Sequence, residues 1–396
     1  MAGGTPGRGG WRLPFAAAIA SVVVLPFVLT GSAAGGGGLQ CLGEPVTIGN
    51  GFDQTNLIGT EGPDVIHGTN RNDFIDGRGG NDLICTFAGH NVAIGGAGDD
   101  KFQGGPDGET IVGDQYSTTG VAEGSGNDEV TGGGGTDIVV GDAYATRGAA
   151  QGSGNDTVHG HDGADVVVGD AYSQAATAIG TGNDRMTGGE GNDVEVGDAL
   201  VGLYNDPVND PSAGAFGSGN DEVNGYPDTD LVIGDAAVFG PGLADCSSAG
   251  SDKLNGETNA KDGDDVSGFG KTIELLVGDC YSTQGSALGA ASDRPIINGG
   301  DGNDVLVGDS YAPNGAATGT ASEPNMLGGG GNDRIYSDHH PGSASTEGGG
   351  DDHPRGGKGN DLLEGGPSID LCSGGPGKDK FTKRGPNACE DTTGDP

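Results

Sequence analysis

Apolar and aromatic side chains are scarce in this 396-residue chain. Hydrophobic residues make up 32% of it, and Phe, Trp and Tyr together 5%. Soluble domains are typically about 45–50% apolar, so one large hydrophobic core is excluded. Positive charge is scarcer still. Eighteen Lys and Arg stand against 58 Asp and Glu, a net charge of −40. The chain lacks the cations that neutralise phosphates, which excludes nucleic acid as a partner. Any compact state must also overcome self-repulsion. Long apolar runs are missing too. The one candidate, Phe15–Leu29, is 15 residues long with Pro26 inside it, short for a membrane span. Arg8 and Arg12 precede it and Ser32-Ala33-Ala34 follow. Residues 1–34 are therefore read as a secretory signal, and no stable membrane span is expected.

Glycine and acid are abundant, with 87 Gly. Low hydrophobicity and high net charge also mark disordered chains. Strict repetition argues against that. Residues 124–151 read "GSGNDEVTGGGGTDIVVGDAYATRGAAQ", and the next 28 read "GSGNDTVHGHDGADVVVGDAYSQAATAI". "GTGNDRMTGGEGNDVEVGDAL" begins at 180. Each unit splits into two nonapeptides and a ten-residue insert. Asp64, Asp73, Asp82, Asn91, Asp100 and Glu109 are nine apart. The step resumes at Asp128 and Asp137, and recurs at Asp156 and Asp165, Asp184 and Asp193, and Asp221 and Asp230. It returns at Asp352, Asp361, Asp370 and Asp379. A fixed period means a recurring structural unit.

In each nonapeptide a Gly-rich turn leads to Asp and then to x-apolar-x. Alternate strand residues face opposite ways, so Val130 points in while Glu129 and Thr131 point out. Glycine serves the turn because positive φ costs it little. Two nonapeptides then complete a coil, and coils must stack because each buries few apolar side chains. By the same register Glu195 points inward; a strand slip is the reading that avoids burying it.

Seven turns match G-G-x-G-x-D in full, ending at Asp100, Asp137, Asp193, Asp304, Asp333, Asp361 and Asp379. Examples are "GGEGNDVEV" at 188–196 and "GGDGNDVLV" at 299–307. On these residues the chain resembles the RTX, or haemolysin-type, calcium-binding repeat, over residues 59–382. The resemblance implies an all-β fold: a parallel β-roll or β-solenoid of Gly/Asp-rich coils, with ten-residue loop inserts on one edge. It implies Ca²⁺ as cofactor, held between neighbouring turns. The ligands it implies are Asp82, Asp100, Asp128, Asp137, Asp156, Asp165, Asp184, Asp193, Asp221, Asp304, Asp333, Asp361 and Asp379. Calcium takes about six to eight oxygen ligands, from carboxylates and carbonyls. Ions held there would offset the acidic repulsion and couple folding to binding. Asp128, Asp156, Asp184 and Asp221 depart from the pattern: they lie in "xG[ST]GND", so altered ligand sets are expected. The turn "GYPDTD" before Asp230 is degenerate, Asn91 and Glu109 occupy Asp positions, and 250–300 shifts the register. Family members often leave the cell through a C-terminal signal, whereas the N-terminal signal here points to general export.

Seven coils carry Gly-Asp after the second strand, at Asp114, Asp142, Asp170, Asp198, Asp235, Asp279 and Asp309. Tyr follows two residues later at positions 116, 144, 172, 281 and 311. The preceding strands are apolar on both faces, as where Ile138 and Val140 flank Val139. The inserts are expected to fold back so that the Tyr rings cover this face; a partner bound there is the alternative. Six Cys in an exported chain favour disulfides. Connectivity is open from sequence alone. Nearest-neighbour pairing gives Cys41–Cys85, Cys246–Cys280 and Cys372–Cys389. Residues 35–58, with "CLGEPVTI", are expected to cap the roll of 59–382, followed by a disulfide-capped tail at 383–396.

Other chemistry is weak. His339, His340 and His353 lie near Asp338, Asp351 and Asp352, but their spacing fits no zinc pattern and reads as a solvated loop. "GFGKT" at 268–272 fails as a phosphate loop because residue 265 is Asp. No catalytic set stands out, so no enzyme is expected. The expected function is extracellular calcium binding that drives folding of a structural or surface-interaction module, with a cell-surface or polysaccharide partner open. The alternatives are a calcium-dependent β-solenoid enzyme or adhesin acting on polysaccharide, and an ice-binding protein. Ice binding wants a regular outward rank, and the pairs Glu129/Thr131, Thr157/His159, Arg185/Thr187 and Glu222/Asn224 are mixed.

Overall fold

A computed structural model describes residues 39–49, 55–203, 207–226, 228–247, 250–257, 275–289, 295–319, 325–338, 350–366, 370–381 and 389. The segment read as a signal, "GFGKT", His339 and His340 lie outside the described residues. Among those residues there is no α-helix, and so none long and apolar enough to cross a membrane.

The nine-residue spacing becomes two long parallel sheets. One has thirteen strands, from Asn56–Ile58 to Lys380–Phe381. The other has eleven, from Val65–His67 to Pro354–Lys358. Each strand pairs with the one a coil away. Leu57 lies beside Ile75, then Ala93 and Ile111, in 18-residue steps; Val139 and Val167 follow in 28-residue steps. Two nonapeptides thus complete one plain coil. The apolar residue of each x-apolar-x triplet points between the sheets. Ile75, Ile84, Phe102, Val130, Val139, Met186, Leu254 and Leu306 form one continuous narrow core, each at most 1% exposed. The fold is a parallel β-roll.

The inserts differ from expectation: they are strands rather than loops. Their first halves form a six-stranded parallel sheet, from Gln115–Ser117 to Cys280–Ser282. Their second halves form a seven-stranded one, from Ala122–Glu123 to Ala317–Thr318. Near-constant insert length puts the same residues one above another, as with Ala143 and Ala171 or Ala150 and Ala178. Backbone groups that a loop would leave to water then pair between coils. Alanines, with Val201, Val238 and the Cys246–Cys280 pair, fill the narrow space between these two sheets. On the other face Tyr144 and Tyr172 pack with Val140, Val166 and Val168. Their rings are 4.8 Å apart and within 2° of parallel. The inserts therefore do cover the second apolar face of the roll.

Glu195 stays in register, between Val167 and Val232, and is fully buried. A slip would break the ladder of Val194 and Val196 with both neighbouring strands. The side chain instead turns toward the adjacent turn, where its Oε1 and the Oδ2 of Asp193 border the same space above Gly188.

The disulfides are Cys41–Cys85, Cys246–Cys280 and Cys372–Cys389, with Cα separations of 5.6, 5.9 and 5.3 Å. A short antiparallel pair, Gln40–Cys41 with Glu44–Pro45, precedes Thr47 and Ile48. Those two residues hydrogen-bond along Val65, the first strand of the eleven-stranded sheet. The outer face of that sheet is mixed. Lys101 pairs with Glu129, and Glu222 with Arg185 and Lys253. The column Thr131, His159, Thr187, Asn224 carries no regular threonine rank.

Candidate metal centres

The Asp residues before the strands form two rows, one along each long sheet. The pleat aims each backbone N–H along the stack, and the Asp side chain one coil on receives it. On one row Asp82 N–H donates to Asp100 Oδ1 at 2.7 Å, and Asp100 to Asp128 at 2.6 Å. Asp128, Asp156 and Asp184 continue it to Asp221, each step at 2.7 Å. On the other row Asp137 donates to Asp165 and Asp165 to Asp193, both at 2.8 Å. Further along, Asp304 donates to Asp333, Asp333 to Asp361, and Asp361 to Asp379, at 3.0, 2.9 and 2.9 Å. All thirteen sequence-predicted residues therefore lie on two straight ladders, and all but the half-buried Asp379 are buried.

The ladder uses one oxygen of each carboxylate. The second, Oδ2, is buried and receives no hydrogen bond in Asp82, Asp100, Asp137, Asp165, Asp333 and Asp361, and likewise in Asp128, Asp156, Asp184, Asp193 and Asp221. It faces a space kept open by glycine. A Cβ on Gly160 would lie 2.6 Å from Asp165 Oδ2 and 2.5 Å from the carbonyl oxygen of Gly188 on the next coil. A Cβ on Gly328 would lie 2.5 Å from both Asp333 Oδ2 and the Gly356 carbonyl. Carboxylate and carbonyl oxygens of neighbouring coils thus converge on one small space. That donor set suits a hard cation such as calcium.

Electrostatics point the same way. Burial, with repulsion from neighbouring carboxylates, pushes the carboxyls of Asp100, Asp137 and Asp156 up to about 8 and Asp128 to about 9. Burial lifts Asp165 and Asp333 to about 7, and Asp82 and Asp193 to about 6. It holds Asp184 and Asp221 well above the ordinary carboxylate range. A cation among these groups inverts the effect and holds them ionised.

Three early positions are satisfied from within the chain. Asn91 stands where the pattern has Asp, and its amide donates to Glu109 Oε1 at 2.7 Å. Thr86 donates to the same oxygen at 2.7 Å. Asp73 accepts from the Thr69 amide and hydroxyl at 2.6 and 2.9 Å. His353 is exposed.

The pattern of the RTX calcium-binding nonapeptide repeat matches at residues 58–86, 86–115, 124–143, 152–171, 180–198, 296–310, 325–338 and 348–381. The chain is an RTX nonapeptide-repeat protein. No curated protein matches it. RTX repeats indicate calcium binding, and the glycine-lined spaces fit that ion. The matches break off where the inserts begin, at 115, 143, 171 and 198. Each insert enters the turn that leads to Asp128, Asp156, Asp184 or Asp221, which explains the altered "xG[ST]GND" pattern.

The inserts also bring in a third set of acids. Asp114, Asp142, Asp170, Asp198 and Asp235 are each at most 5% exposed. They form a backbone ladder, Asp114 N–H to Asp142 O at 2.9 Å and so on along the stack. Their carboxylates interleave with the first row. Oxygens of Asp114, Asp128 and Asp142 lie within 4.8 Å of one another, as do those of Asp142, Asp156 and Asp170. The same holds for Asp170, Asp184 and Asp198, and for Asp198, Asp221 and Asp235. Sequence reasoning took the recurrent Gly-Asp as loop starts. The signal was present in their fixed place after the second strand, but only the fold carries them back onto the first row.

Proposed function

We propose that this RTX protein is an exported structural module whose folding is completed by calcium outside the cell. The observation that supports this is the pair of aspartate ladders, each with a buried oxygen left over at a glycine-lined space. A fold with so little apolar core would not hold these carboxylates ionised without a cation. In this reading the thirteen aspartates named from the sequence supply side-chain ligands, and glycine carbonyls supply the remainder. Residues 1–34 are a cleaved signal, 35–58 cap the first coil, and the Cys372–Cys389 segment with the tail 383–396 closes the last. The function is not catalytic: the carboxyls with raised pKa are sealed inside stacked turns, out of reach of a polysaccharide. The exposed, mixed-charge face of the eleven-stranded sheet is the surface left for a cell-surface or polysaccharide partner.

Limited proteolysis of residues 35–396 tests this reading. In millimolar calcium the roll is expected to resist trypsin as one large fragment, and in chelator to be cut to small peptides. Equal digestion in both conditions would contradict it. Export is tested by the mass of the protein recovered outside the cell, expected to lack the first 34 residues.

A further inference from the structure

We propose that a third row of calcium ions runs along the seam between the roll and the inserts, bound by the four aspartate triads found among the described residues. The proposal rests on the calcium reading above but adds the insert aspartates, which lie outside the nonapeptide pattern. Each triad joins two insert aspartates to one turn aspartate, and Asp142, Asp170 and Asp198 each belong to two consecutive triads. Proximity of acids alone would mean little. The second observation is that no N–H or hydroxyl donates to either oxygen of Asp142 or of Asp198, both fully buried. Two carboxylates with four oxygens turned from both water and donors need a cation or a proton.

The donors select the ion. They are all carboxylate oxygens, with no His or Cys among them, which favours a hard cation over zinc or copper. Oxygens about 2.3–2.6 Å from one calcium ion lie no more than about 5 Å apart, in keeping with the 4.8 Å limit within each triad. Nine carboxylates serve the four triads, so four divalent ions nearly cancel their charge. Because neighbouring ions share a carboxylate, filling one site organises the next. The row ties each insert to its turn, and the Tyr-covered layer then closes over the roll as part of one loaded structure.

The double variant Asp142→Asn/Asp198→Asn touches all four triads. Bound calcium per chain is measured at saturation by equilibrium dialysis and atomic absorption, beside the wild type and Asp137→Asn/Asp165→Asn on the opposite row. The expected result is a folded seam variant that has lost four ions, while the opposite-row variant keeps its seam ions. A seam variant that binds as many ions as the wild type overturns the proposal. Should that variant fail to fold, anomalous diffraction from wild-type crystals grown in calcium decides. Peaks inside the triads support the seam row. Peaks at the glycine-lined spaces alone overturn it and leave the calcium reading intact. Absence of any calcium peak overturns both.

Discussion

Gly160 is defined by what a methyl group would meet there: a carboxylate oxygen and a carbonyl oxygen of the next coil. Gly160→Ala would fill the space meant for an ion and press on backbone that cannot yield. The variant is expected to lower the calcium affinity of its site and to destabilise the loaded protein by about 2 kcal/mol, within the range for overpacking. Calorimetric calcium titration and urea unfolding in excess calcium check this; unchanged values in both would remove the cradle from the account. Legibility varied sharply between residues. Asp165 could be read from spacing, because its position recurs every nine residues. Glu195 could not. Its register was plain, but its escape depends on the open space that Gly188 leaves beside Asp193, which spacing does not reveal. Asp142 was visible as a recurrence and misread as a loop start, because its contacts with Asp114, Asp156 and Asp170 form only between neighbouring coils.

Strands of two to six residues carry this fold, so an element is stable only through its stack. The triplet Ala171-Tyr172-Ser173 shows both limits. Too short to display a period, it was readable only as an insert. Stacked, it pairs with Ala143–Ala145 and Ala199–Val201, and the Tyr172 ring lies face to face with that of Tyr144. Tyr172→Ala removes a fully buried ring from the layer over Val140 and Val168. The expected loss is about 3–5 kcal/mol, seen as a lower urea midpoint in saturating calcium. Tyr116→Ala, in the first and only partly buried strand of that sheet, should cost far less. Equal effects would mean that the tyrosine layer is no part of the packing. The roll strands were legible because x-apolar-x recurs after each turn Asp. The insert sheets were not, because alanine in a glycine-rich stretch gives no contrast between faces.

Across the whole molecule, a charge of −40 meets a core one side chain wide. The carboxyls of Asp82, Asp100, Asp128, Asp137, Asp156, Asp165, Asp193 and Asp333 have folded-state values raised from 3.8 to between about 6 and about 9. Without metal, the folded chain therefore binds more protons than the unfolded chain across that window. Metal-free stability must rise as pH falls through it, and level off once the unfolded carboxyls protonate as well. In chelator, strand content is expected to increase on acidification from pH 8 toward pH 5. In calcium, the same acidification should weaken binding, because protons compete for the same oxygens. Circular dichroism against pH, with and without calcium, checks both signs; chelated protein that gains strand as pH rises would contradict them.

The most direct test of the central claim, that calcium takes the place of a large core, is a calcium titration of residues 35–396 followed by far-UV circular dichroism, with magnesium as control. The account predicts a cooperative gain of strand signal between about 0.1 and 1 mM calcium, the range of extracellular modules. It predicts reversal by chelator and little response to magnesium. Full strand signal at neutral pH in chelator would contradict it. The exposed asparagine ladder of Asn127, Asn155, Asn183 and Asn220, together with the Asp-to-backbone bonds, would then be what holds the coils in register.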